Sequence, residues 1–67
     1  MNIIKSMMAI YTAQITEAKV NIGVLLQNPT AIPEHGNFVK ELDKYISSIA
    51  TAQDKIAVLE KEYEDYE

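Results

Sequence analysis

A chain of 67 residues and 7.5 kDa has room for one small domain and no second. An apolar fraction of 48% with a charged fraction of 24% fits a folded chain rather than a disordered one. Cysteine is absent and histidine occurs once, which excludes a disulfide framework, a thiolate metal site and a multi-histidine site within one chain.

The net charge of −4 is unevenly placed. Lys5, Lys19, Lys40, Lys44 and Lys55 balance Glu17, Glu34, Glu41, Asp43 and Asp54, so residues 1–59 are neutral. The excess lies in an acidic tail over 60–67, which reads as a solvated, fraying helix end, since acids near a helix C-terminus oppose its dipole. There is no arginine and no basic stripe, so duplex nucleic acid is not an expected partner. A membrane is not expected either: no apolar run approaches the ~20 residues of a bilayer span, and no basic amphipathic stretch is present. The N-terminus lacks the layout of a signal peptide, and the expected location is cytoplasmic.

The first periodic segment carries Ile4, Met8, Tyr11, Ile15, Ala18, Ile22 and Leu25 at alternating spacings of four and three. That is an unbroken heptad seam, and it predicts a helix over about 3–27. Gly23 interrupts it beside Ile22, where the missing side chain is expected to admit another helix closely. Residues 28–35 follow as a loop. Pro29 biases Asn28 out of the helical region and ends the first helix. Pro33 suits a turn, and Asn37 or His35 is the expected cap of the second helix.

The second seam runs Phe38, Leu42, Tyr45, Ile49, Ala52, Ile56, Leu59, Tyr63 and Tyr66, again alternating four and three, and predicts a helix over about 36–64. The fold class is therefore all-α, an antiparallel helical hairpin with heptad seams. Each helix also has apolar residues off its seam: Ile3, Met7, Ile10, Val20, Val24 and Leu26 on the first, and Val39, Ile46, Ala57 and Val58 on the second. One partner helix covers one seam, so a hairpin alone leaves these wet and should be marginal. Assembly into a helical-bundle homo-oligomer is the expected remedy, with the weakly charged first helix at its centre and the second helix, with its Glu41/Lys44 and Lys61/Asp65 pairs, facing water.

The residues do not read as an enzyme. Glu34-His35 is the only acid–imidazole neighbour, and adjacent loop residues seldom face one another. The Glu-x-x-His pattern of di-iron bundles is missing, and no metal or cofactor is expected. What remains is the polar loop beside the start of the second helix, where free N–H groups and Lys40 favour an anion.

The stretch Asn28-Pro29-Thr30-Ala31-Ile32-Pro33-Glu34-His35, with Phe38-Val39 and the run Ile49-Ala50 to Leu59, resembles a group of small phage-encoded helical-hairpin proteins with an Asn-Pro-x-x-Ile-x-Glu-His loop. Members often carry Gly where this chain has Pro33 and Pro where it has Gly36. In size, helical content and expected assembly the chain is also similar to the phage anti-CBASS sponges. These are short helical proteins whose oligomers sequester cyclic oligonucleotide signals without cleaving them. That resemblance implies cyclic di- or trinucleotide ligands held at subunit junctions by polar and basic groups, with tyrosines stacking on bases. Tyr11, Lys19, Thr30, His35, Asn37 and Lys40 are the candidate ligand-binding residues. The alternative is a structural or interaction protein, an oligomer or adaptor docking on a host or virion protein, in which the loop only connects.

Overall fold

A computed structural model describes residues 2–28 and 35–66, with the side chains of His35 and Gly36 outside what is described. The described residues form two α-helices and no strand: α1, Ile3–Gln27, and α2, His35–Tyr63, packed against each other. The all-α hairpin expected from the two seams is what the chain adopts.

α1 starts at Asn2, whose extended backbone carries the side-chain oxygen into position to accept from the N–H groups of Ile4 at 3.0 Å and Lys5 at 3.2 Å. The Asn2 carbonyl accepts from both the N–H and the hydroxyl of Ser6. At the other end the N–H of Asn28 closes a last turn on the Val24 carbonyl at 3.0 Å, and its φ of −132° takes it out of the helix ahead of Pro29, as expected. α2 begins at His35, one residue before the expected start, so Asn37 lies inside the first turn. The loop motif itself lies outside the described residues apart from its ends. α2 ends at Tyr63, and the N–H of Tyr66 bonds the Tyr63 carbonyl at 3.0 Å, so the acidic tail leaves the helix through a turn.

Two contacts set the register. The side-chain amide of Asn2 donates to the Tyr66 carbonyl at 3.5 Å, and Lys55 reaches Tyr11. Because both helices rise equally per residue, this register puts Ala18 level with Ile49 and Ala52 level with Ile15. A small residue thus opposes a large one at each central layer, which lets the helix axes approach closely. Among the described residues Ala18 and Ala52 are the most buried, at 3% and 1% exposure, and Leu25 is the third buried one. From Ile4 to Leu59 the seam side chains are buried or half-buried, while Tyr63 and Tyr66 at the far end are exposed.

Outside the seam, large apolar side chains reach the surface. Ile3, Ile10, Val20, Val24 and Leu26 on α1, and Val39, Ile46 and Val58 on α2, are all at least half exposed. No large side chain is fully buried among the described residues. Gly23 does not serve a close contact within the hairpin: a Cβ built there meets nothing within 4 Å. The molecule measures 48 × 17 × 12 Å, a rod one helix thick.

Candidate functional site: a lysine–tyrosine groove

One edge of α2 is built by Lys44, Ser48, Thr51 and Lys55, whose spacings of four and three keep them on one face. Facing this edge across the seam are Gln14, Glu17 and Asn21 of α1. Together with Ala18, Tyr45 and Ser47, Lys44, Ser48 and Thr51 join them around an open groove of about 560 Å³. One turn further along, Tyr11, Asp54, Lys55, Val58 and Leu59 line a smaller hollow of about 240 Å³.

Each depression holds a lysine set against a tyrosine. The Lys55 ammonium lies 5.2 Å from the centroid of the Tyr11 ring, and the Lys44 ammonium 5.7 Å from that of Tyr45. Both tyrosines are half-buried seam residues, so their rings are anchored on one side and open to the groove on the other. Glu17 and Asp54 balance the two lysines, leaving the lining close to neutral. The Ser48 hydroxyl donates to the Lys44 carbonyl one turn back at 3.1 Å, which directs its lone pairs outward. The arrangement offers cations beside aromatic faces, with amide and hydroxyl groups between them. That is chemistry for holding a planar or anionic ligand.

Of the residues expected to bind a ligand, the described ones do not converge on one hairpin. Tyr11 lines the smaller hollow. Lys19 is exposed and stands outside both linings. Asn37 and Lys40 are exposed on the first turns of α2, level with the end of α1 and roughly 24 Å along the rod from Tyr11. Thr30 lies outside the described residues, as does the side chain of His35. Lys44 and Tyr45, which line the groove, and Lys55, which lines the smaller hollow, are not singled out as binding residues by the sequence. An i, i+4 and i+11 spacing on α2 puts Lys44, Ser48 and Lys55 near one face, but the meeting of Lys55 with Tyr11 depends on the register of the hairpin.

Among the described residues no group of three or more acidic, histidine or cysteine side chains is placed to hold a metal ion. No helix there is long and apolar enough to cross a membrane. Compared with known protein families, curated proteins and solved structures, the chain matches none.

Proposed function

We propose that the chain is a non-enzymatic binding protein that works as a homo-oligomer and sequesters a cyclic oligonucleotide immune signal at subunit junctions, as a phage anti-defence sponge does. The observation that carries this reading is the groove. With the hollow one turn further along, it sets two lysine–tyrosine pairs beside amide and hydroxyl groups, and it is open on the side away from the seam. Such a groove suits a ligand with phosphates and bases, and it needs another wall to exclude water from them. Lys40, too far from Tyr11 to share a site within one chain, and Lys19, outside both linings, act in this reading from a neighbouring copy.

Calorimetric titration with cyclic di- and trinucleotides tests it. Binding is expected, weakened tenfold or more by Lys44→Ala or Lys55→Ala, and also by Lys40→Ala and His35→Ala if the loop contributes. Absence of heat with every cyclic nucleotide overturns the sponge. A second reading, an adaptor for a host or virion protein, is favoured by the exposed apolar side chains alone and is what such a result would leave standing.

A further inference from the structure

We infer that the outer stripe of α1 is the surface on which a second copy of this chain docks, antiparallel, α1 against α1. The inference rests on the self-association in the reading above and is independent of any ligand. Three observations carry it. The first is area. A compact protein of this mass, 7.5 kDa, exposes about 4,200 Å² by the usual scaling. This chain exposes 5251 Å², about 1,000 Å² more, close to the roughly 800 Å² that each partner contributes to a standard interface.

The second is position. Ile10 sits one turn before the groove residue Gln14, and Val24 lies three residues after the groove residue Asn21, so the stripe continues along the rim of the groove. A helix laid on it becomes the groove's third wall. The competing stripe, Val39 and Ile46 on α2, lies on roughly the far side of that helix from Lys44 and Ser48 at ~100° per residue. A copy docked there leaves the groove open.

The third is charge. Glu17 falls in the middle of the α1 stripe. Parallel pairing sets Glu17 against its own copy, a like-charge contact. Antiparallel pairing about a two-fold axis beside Ala13 and Gln14 instead sets Ile3 level with Val24 of the second copy. Each Glu17 then lies beside Ile10 of the other copy, with the Lys44 of its own groove to offset its charge.

Sedimentation equilibrium of the ligand-free protein and cysteine cross-linking test this together, since the chain has no cysteine of its own. A dimer or a multiple of it is expected at micromolar concentration. Ile10→Glu combined with Val24→Glu should raise its dissociation constant at least tenfold while helicity is kept, because both side chains are already exposed in the single hairpin. Mild oxidation of a mixture of Ile3→Cys and Val24→Cys chains should link the two variants to each other. A folded monomer overturns the inference, as does a dimer that survives the α1 substitutions but dissociates with Ile46→Glu. Ile3→Cys chains that link to themselves and not to Val24→Cys chains also overturn it. Because no nucleotide is present, these outcomes stand apart from whether a ligand binds.

Discussion

Lys55 crosses from α2 to lay its ammonium 5.2 Å from the centre of the Tyr11 ring on α1, joining residues on opposite arms of the hairpin. Tyr11 and Lys55 are brought together by nothing local, and the contact exists only in one register. It therefore reports on the pairing of the helices as well as contributing to it. A double-mutant cycle between Tyr11→Leu and Lys55→Met should give a coupling of about 0.5–1 kcal/mol, the range for an exposed cation over an aromatic face. Urea denaturation of the four proteins measures it. A coupling indistinguishable from zero would mean that the lysine does not hold this position in solution.

Asn2 has two roles that one pair of substitutions separates. Its oxygen caps α1, and its amide reaches the Tyr66 carbonyl. Asn2→Ala should cost about 1 kcal/mol through the lost cap. Asn2→Asp keeps the capping oxygen and places a negative charge at the helix start, so it should retain most of the stability. If thermal melts put Asn2→Asp as low as Asn2→Ala, the reach to Tyr66 matters more than the cap.

Gly23 is helical and a Cβ there enters open space. Gly23→Ala should accordingly stabilise the chain by roughly 1 kcal/mol, the difference in helix propensity. Gly23 lies well around α1 from Ile10 and Val24, so the substitution should leave self-association unchanged. A loss of stability or of assembly on Gly23→Ala would place a neighbouring copy on that side of the helix instead.

Ala52 is the most buried residue, level with Ile15 on the facing helix. Ala52→Leu has no room to expand without moving the helices apart, and should destabilise by about 1–3 kcal/mol. Ala50→Leu, on an exposed position two residues away, is the control and should be nearly neutral. Equal stability of the two variants would contradict the close approach at the centre of the seam.

The seams could be read from residue spacing because a heptad repeat is a local property: each residue from Ile4 to Leu25 announces its face by its distance from the next. The end of α1 was legible for the same reason, since Pro29 acts on its immediate neighbour. Asn2 could have been recognised too, as an asparagine directly ahead of an apolar periodic run. The groove was not legible. Tyr45 reads as core from its seam position, and Lys44 and Lys55 read as outer-face charges. Lys44 turns back on Tyr45 of its own helix, and only the alignment of the two arms brings Lys55 to the Tyr11 ring. Lys19 and Lys40 illustrate the converse. Each has plausible chemistry for an anion, and neither is near the other's side of the single hairpin.

The shortest dimension of the rod, 12 Å, is one helix diameter. Every backbone amide of the two helices is therefore within a few ångströms of solvent, and neither helix is shielded by a further layer of the described residues. In deuterium-exchange experiments an isolated hairpin should lose its protons within a narrow band of rates, without a slow central class. A subset of long-lived amides, if it appears and is confined to one helix, maps the face that another polypeptide covers.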